Sequence, residues 1–420
     1  MREMKDSGIE WIGKIPKEWG IVKFKYLHKG LNTGEAIDKE YWESDAGPNA
    51  FYTAGLTPIR TGYSNFPTWK ETGENDLLLA RNGTPYVYLP VSKAYYTDHI
   101  IRAAMSRHVN RRFIRYCLQQ SIASIVVDSV SIPTWSATLW NNQILTWPSA
   151  IEQERIAAFL DAECAEIDAV LEKTRASIEE YRKLKQAVIT QAVTKGVRGD
   201  RPMKDSGIEW IGEIPEEWDC KKVKYVTSIS RGIFNHRPRN DERCYGGEYP
   251  FIQTGDVAGA QKYIESYSQT LNELGKSVSK CFPKGTLTMT IAANVGDAAI
   301  LGFDAFFPDS VVGFIPNADI NDEYLYYIFK AMKPEFVRTA IKSTQFNLNV
   351  ERIRDLFVPV VVQKSEQLEI AEYLNTKCAD IDALIAKKQQ YLTEIENYKK
   401  SLIYEYVTGK KEVKTSVLAD

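Results

Sequence analysis

Two stretches of the chain carry the side chains best suited to chemistry with a polyanion. The first is HIIRAAMSRHVNRRFIRYC, His99 to Cys117, where five arginines and two histidines occur without one acid. Arg107, Arg111 and Arg115 recur every four residues, which predicts one helix face suited to phosphate oxygens. The second is RGIFNHRPRNDER, Arg231 to Arg243, whose Gly, Pro and Asn content predicts a loop bearing Arg231, Arg237, Arg239 and Arg243. Arginine and asparagine on such a loop have bidentate reach to guanine and adenine edges. The same residue types also make a solvated surface, so neither stretch alone assigns a function.

The parts of an enzyme are missing from the sequence. No Asn-Pro-Pro-aromatic or Asp-Pro-Pro-aromatic tetrapeptide of amino-methyltransferases occurs, and no GxxxxGK[ST], HExxH or GxSxG. Paired carboxylates such as Glu179 and Glu180 belong to a solvated helix face. Six cysteines and four histidines are scattered with no CxxC pair, so neither a metal site nor a disulfide framework is expected. The formal charge of −2 argues against a uniformly basic nucleic-acid binder. It is segregated, however: residues 20–150 hold 13 Lys/Arg against 10 Asp/Glu, residues 219–362 hold 17 against 16, and the acidic excess lies elsewhere. The apolar runs are far shorter than the roughly 20 residues of a membrane span, and the start MREMKDSG has no apolar signal core. A cytoplasmic protein without membrane partners is expected.

The elements that must position these residues are written twice. Met4 to Leu27, MKDSGIEWIGKIPKEWGIVKFKYL, and Met203 to Val226, MKDSGIEWIGEIPEEWDCKKVKYV, are identical at 17 of 24 positions, at an offset of 199. EQERIAAFLDAECAEIDAVL from Glu152 and EQLEIAEYLNTKCADIDALI from Glu366 align at an offset of 214. Glu152 to Lys195 and Gln363 to Thr408 contain no Gly or Pro, and each run stops at a glycine, Gly196 or Gly409, which predicts two helices of roughly 65 Å. Their apolar residues fall on a 3-and-4 spacing: Ile156, Leu160, Ile167, Leu171 and Ile178 in the first, Ile370, Leu374, Ile381, Ile385 and Leu392 in the second. Such lengths exceed a domain, so each helix is expected to pair with its twin as a spacer. Glu152 to Glu172 carries seven acids and one Arg, whereas Lys173 to Lys195 carries six bases and two acids. Antiparallel pairing therefore sets opposite charges side by side, with a two-fold axis expected near Lys173 and Lys387. Cys164 and Cys378 then lie roughly 27 Å apart along the seam, too far for a disulfide.

Between opening segment and helix stands a block of β-branched runs with Gly and Asn turns. In the second copy YPFIQTGDV (Tyr249 to Val257), GTLTMTIAANVGDAAILG and FFPDSVVGFIPN read as strands, and INDEYLYYIFKAM as a helix. The first copy echoes them with NDLLLARNGTPYVYLP and HVNRRFIRYCLQQ. The expected fold class is α+β: two mixed α/β domains separated by two long antiparallel coiled-coil helices, with pseudo-two-fold duplication. The segments are 1–150, opening segment and first block; 151–196, first helix; 197–362, linker, repeated opening segment and second block; 363–409, second helix; and 410–420, a tail.

The two opening segments, the strand-loop IAANVGDAAILG, the run NLNVERIRDLFVPV from Asn347 and the EQERIAAFLDAECAEIDAVL helix resemble the DNA-specificity subunit of type I restriction-modification systems. The resemblance runs over nearly the whole chain, twice and in order. It implies a non-catalytic subunit whose two target recognition domains each read half of a split, asymmetric site in double-stranded DNA. It also implies docking of two methyltransferase subunits, which bind S-adenosylmethionine, and two translocase-nuclease restriction subunits, which use ATP and Mg; this chain itself needs no cofactor. Candidate DNA-facing residues on this basis are Asn294 with its counterparts Arg81, Asn82 and Thr84, then Asn347 and Asn349, beside Arg107, Arg111, Arg115, Arg231, Arg237 and Arg239 from the basic stretches. The first block departs from the pattern at Pro85 and Tyr86, where a glycine is usual, and has SATLWNNQILTWP in place of NLNVERIRDLFVP. Two other readings stand beside this one: a fragment of a fused modification enzyme, and a coiled-coil scaffold that binds protein or RNA.

Overall fold

A computed structural model describes residues 2–42, 47–53, 55–125, 133–292, 294–340 and 348–413. It divides into two compact units, Met1–Arg175 with Gln390–Asp420, and Ala176–Gln389. The division cuts both long helices near their middles, so each unit owns one half of each.

In the first unit the opening segment folds back on itself, Met4–Asp6 pairing antiparallel with Lys14–Pro16. Gly20–Lys23 then pairs with Ile144–Trp147, the strand that leads into the long helix. Between these lies a four-stranded antiparallel sheet in the order His28–Thr33, Ile100–Met105, Asp76–Ala80, Val87–Tyr88. Every residue of Asp76–Ala80 is buried, because the strand is covered on both faces. Leu77 and Leu79 join Phe113, Ile114 and Leu118 of helix α1 (Arg111–Ala123), whereas Leu78 joins Tyr52, Tyr88 and Tyr96 of a smaller cluster. Asn110 caps α1 by accepting a hydrogen bond from the Phe113 amide. Helix α2, Ala150–Lys195, follows.

The second unit repeats the plan. Met203–Asp205 pairs with Glu213–Pro215 and Asp219–Lys222 with Phe357–Val360. Its main sheet has the order Thr227–Arg231, Val311–Pro316, Leu287–Thr290, Ala298–Leu301, Tyr263–Ile264. The first four strands match the first unit position for position. Helix α3, Asp322–Ala331, capped by Asn321, takes the place of α1. A second sheet, Gln269–Leu271, Tyr245–Phe251, Ala305–Phe306 and Cys281–Phe282, adds one strand to the plan of the first unit's three-stranded sheet Ile59–Thr61, Asn49–Tyr52, Tyr95–Tyr96; in each the second strand pairs antiparallel on one side and parallel on the other. The run Tyr249 to Val257 is not one strand: extended chain ends at Phe251 and a helix covers Thr254–Gly259. Asp256 reverses the chain there by accepting a hydrogen bond from the Gln253 amide in a capping box. Helix α4, Lys364–Val407, closes the chain.

The first turn of each long helix is tied to its opening segment in the same way. Glu152 accepts from Arg2 and from the Trp19 indole; its counterpart Glu366 accepts twice from Arg201, at 2.7 Å each. Gln153 and Gln367 turn back to donate to the carbonyls of Pro148 and Val361. At the far ends, Gly196 and Gly409 take positive φ of 76° and 71° and seat against Trp218 and Trp19 respectively.

The two helices run antiparallel within each unit. In the first, Phe159 meets Tyr406, Asp168 meets Lys399 and Arg175 meets Glu396. In the second, Tyr181 meets Lys388 and Lys185 meets Asp382. Within the first unit Asp168 meets Lys399, not the Leu392 that an axis at Lys173 and Lys387 would set opposite it. Charge pattern alone locates such an axis only to the nearest turn, because neighbouring turns offer equivalent partners. Of the expected seam, Ile156, Leu160, Leu171, Ile178, Ile370, Leu374, Ile381 and Ile385 are buried, and Ile167 and Leu392 are half-buried. Its outer positions also serve the blocks: Ile156, Leu160 and Cys164 pack with α1 residues, and Ile370, Leu374 and Cys378 with α3 residues. All six cysteines are free.

Candidate nucleic-acid interface

Two hairpin loops of the same construction stand at the ends of the buried central strands. In the first unit the loop Arg81–Tyr86 joins Asp76–Ala80 to Val87–Tyr88, and Gly83 takes φ 72°. Its backbone is clamped from outside: the Trp135 amide donates to Arg81 O at 2.6 Å, the Gly83 amide to Pro133 O at 2.9 Å, and the Trp135 indole to Gly83 O at 2.7 Å. In the second unit the loop Ile291–Asp297 joins Leu287–Thr290 to Ala298–Leu301, with Gly296 at φ 85°. Here the Leu348 amide donates to Ile291 O at 2.9 Å, and Thr290 Oγ1 donates to Asn294 O. A side chain at position 296 would crowd Phe336 Cβ at 3.3 Å.

The backbone is thus fixed while selected side chains stay free. Arg81, Thr84 and Asn294 are exposed; Asn82 is half-buried, with its amide 2.9 Å from His99 Nδ1. Arg81 makes a long 3.4 Å contact with Asp98 O. The departure at Pro85 and Tyr86 leaves the loop intact, because Gly83 supplies the left-handed turn two residues earlier. SATLWNN is the positional equivalent of NVERIRD: Ser136 and Asn349 each cap a short helix immediately after the clamp, accepting from the Leu139 and Glu351 amides. Asn349 is therefore occupied as a cap, and Asn347 lies outside the described residues.

The basic stretches fare differently. Helix α1 begins at Arg111, so Arg107 is not on its face but exposed in the preceding turn. Asn110 stops the helix there because its side chain satisfies an N-terminal amide that helix continuation would otherwise need to pair. Arg111 donates to Asp76 O at 3.1 Å, and burial lowers its pKa. Arg115 pairs with Asp161 at 3.1 Å and lies over the Tyr116 ring. Both face the protein rather than forming a free phosphate-binding face. In the second stretch Arg231 ends a strand and donates to Asp309 O, Arg237 donates to the carbonyls of Phe234 and His236, and Arg239 pairs with Asp309. These three remain exposed despite their partners.

Sequence reasoning missed the clamp residues Trp135 and Leu348, and a buried pair beneath the first loop's sheet. Arg102 lies 2.8 Å from Asp76, which burial pushes to a higher pKa against the pull of the Gly73 amide, Arg102 and Arg111. A signal for the clamp was present: Trp135 and Leu348 each immediately precede the two N-cap residues in the duplicated plan. Among the described residues no group of three or more His, Cys, Asp or Glu could hold a metal ion, and no helix is long and apolar enough to cross a membrane.

Comparison with known proteins agrees with this plan. The family model for the type I restriction modification DNA specificity domain matches residues 215–397. The MjaVIII specificity subunit of a type I restriction enzyme from Methanocaldococcus jannaschii is 24% identical over 429 residues, covering 96% of this chain and 95% of its own. The MjaIX specificity subunit from the same organism is 29% identical over 187 residues, 43% of this chain and 41% of its own. A chain from a solved structure concerned with complex assembly and conformational transition of the type I R-M system shares the fold. Its TM-score is 0.69 at 15% identity, over 94% of this chain and 99% of that one.

Proposed function

We propose that the chain is a member of the type I restriction-modification DNA-specificity family and that it reads a bipartite, asymmetric site in double-stranded DNA, one half-site per unit. It is the non-catalytic specificity subunit. The observation that carries the split-site reading is the pair of loops clamped at the same point, the carbonyls of Arg81 and Ile291 that follow the central strands, and different in side chains: Arg81, Asn82 and Thr84 in one unit, Asn294 in the other. Shared frames with different readers call for different half-sites. The paired helices set the gap between half-sites, and half-sites must keep a helical phase of about 10 bp per turn. Two methyltransferase subunits carrying S-adenosylmethionine, and two restriction subunits using ATP and Mg, complete the assembly in the cytoplasm.

Methylome sequencing of a host with and without the gene tests this reading. A split, non-palindromic motif that disappears with the gene is expected; a continuous or palindromic motif would overturn it. A gel shift with randomised duplex DNA, in the presence of the methyltransferase, separates this reading from a protein- or RNA-binding scaffold.

A further inference from the structure

We propose that position 161 on α2 and its counterpart, position 375 on α4, form a matching key that decides which recognition block each long helix will seat. Asp161 and Asn375 act as positioning residues, and the inference goes beyond the DNA reading because it holds whatever the loops bind.

Both units seat their block through the same tyrosine. Tyr116 and Tyr327, each six residues after the capping asparagine of its helix, donate their hydroxyls to Asp161 and Asn375 at 2.7 Å. Around that constant contact the chemistry is inverted. In the first unit the block brings cations and the long helix brings anions. Arg112 and Arg115 both reach Asp161, and Arg112 also reaches Glu154 at 3.2 Å. In the second unit the residue at the position of Arg112 is Glu323, an anion. It accepts from the Asn375 amide at 2.6 Å and from Lys262 at 2.8 Å, while Lys262 donates its other bond to Asn375 at 2.9 Å.

Each arrangement is closed and charge-balanced only with its own helix. The first block seated on α4 would find Asn375 where it needs Asp161, and Leu368 where it needs Glu154. Arg112 and Arg115, whose side chains are 35% and 23% exposed, would lose their anions. The second block seated on α2 would set the Glu323 carboxylate against the Asp161 carboxylate, replacing a donated hydrogen bond by repulsion. The opening segments and the tyrosine are common to both units, so this cluster is where the two seats tell the blocks apart.

The test is a cycle in the full-length native chain, read by thermal unfolding without DNA, so that a failure of the DNA reading leaves it intact. Asn375→Asp should lower the melting temperature of the second unit by roughly 5 °C, and the loss should shrink as pH falls through the carboxylate range. Adding Glu323→Gln, which restores a donor opposite the new carboxylate, should return most of it. Asn375→Asp with no loss, or a loss that Glu323→Gln leaves unchanged, would overturn the key. A second measurement replaces residues 219–362 by a copy of residues 20–148. That chain should be markedly less stable than one also carrying Asn375→Asp and Leu368→Glu; equal stability would overturn the key. If neither exchanged chain is soluble, the native cycle decides.

Discussion

Asp168 receives the Lys399 ammonium at 2.6 and 2.7 Å, and the same pair is written again as Asp382 with Lys185 at 2.8 and 2.6 Å. Exposed pairs of this kind contribute about 0.2–1 kcal/mol each, so they do not hold the helices together. What they mark is register: the same pair at equivalent positions gives the two units the same antiparallel alignment of their helices.

That register makes the proposed spacer role measurable. Four residues inserted after Arg175 and after Gln389, about one turn in each helix, should lengthen the unspecified gap in the recognised site by a base pair or two while both half-site sequences stay the same. Methylome sequencing reads the gap directly. An unchanged gap with intact methylation would show that the helices do not set it.

The terminal glycines should be intolerant of any side chain, and unequally so. An alanine at Gly196 would adopt a left-handed backbone and approach Arg201 Nη1 at 3.0 Å, the tip of a flexible side chain; at Gly409 it would lie 2.4 Å from Pro16 Cδ. Left-handed backbone at a non-glycine costs ~1–3 kcal/mol. Gly409→Ala should therefore lose more stability than Gly196→Ala, seen as two different shifts in thermal unfolding; the reverse order would contradict the docking described.

Cys164 and Cys378 sit in separate cores, beside Tyr116 and Tyr327, and burial raises both thiols above their ordinary pKa. They behave as small apolar residues. Replacing both with alanine should cost a few kcal/mol at most and leave the proposed assembly with a methyltransferase intact. A cross-link between them on a non-reducing gel of the monomer would contradict the antiparallel register.

Glu323 gives the second unit an acid limb. Burial pushes its carboxyl up, but the Lys262 ammonium, the Tyr263 hydroxyl and the Asn375 amide outweigh it, and the native pKa lies below the ordinary one. A depressed carboxyl stabilises fully above its unfolded value, about 4.3, and that contribution is lost as pH falls through the lower native value. The stability gap between native chain and Glu323→Gln should be constant near neutrality and close in acid. A gap that widens below pH 4 would contradict this.

The long helices, the duplicated opening segments and the place of both loops were legible from sequence because they rest on local pattern: runs without Gly or Pro, a glycine stop, and the same order of segments twice. The fate of the arginines was not. Arg115 is neutralised by Asp161, 46 residues away, and Arg239 by Asp309, 70 residues away. No periodicity encodes such pairs, since only the folded chain brings them together. Arg111 shows the same limit: its basic stretch reads as a free face, and the buried carbonyl of Asp76 takes it inward. The loops could be placed where the arginines could not, because a loop's position follows from a strand end, which is a local event.

Leu402, Ile403 and Val407 belong to the core of the first unit, Lys410 and Tyr404 donate to the carbonyl of Ile12, and Arg2 reaches Glu412 at 3.0 Å. The second unit is made entirely of residues 176–389. On the ribosome, the unit whose residues come first in this sequence is therefore the later of the two to be finished. Its sheet and α1 emerge first but wait for more than two hundred further residues before the final strip of their core arrives, while the later half has all its parts sooner. A nascent chain stalled after Gln389 would hold one complete unit and one with an open apolar flank. The first block is thus the one that depends on translation running past Val407.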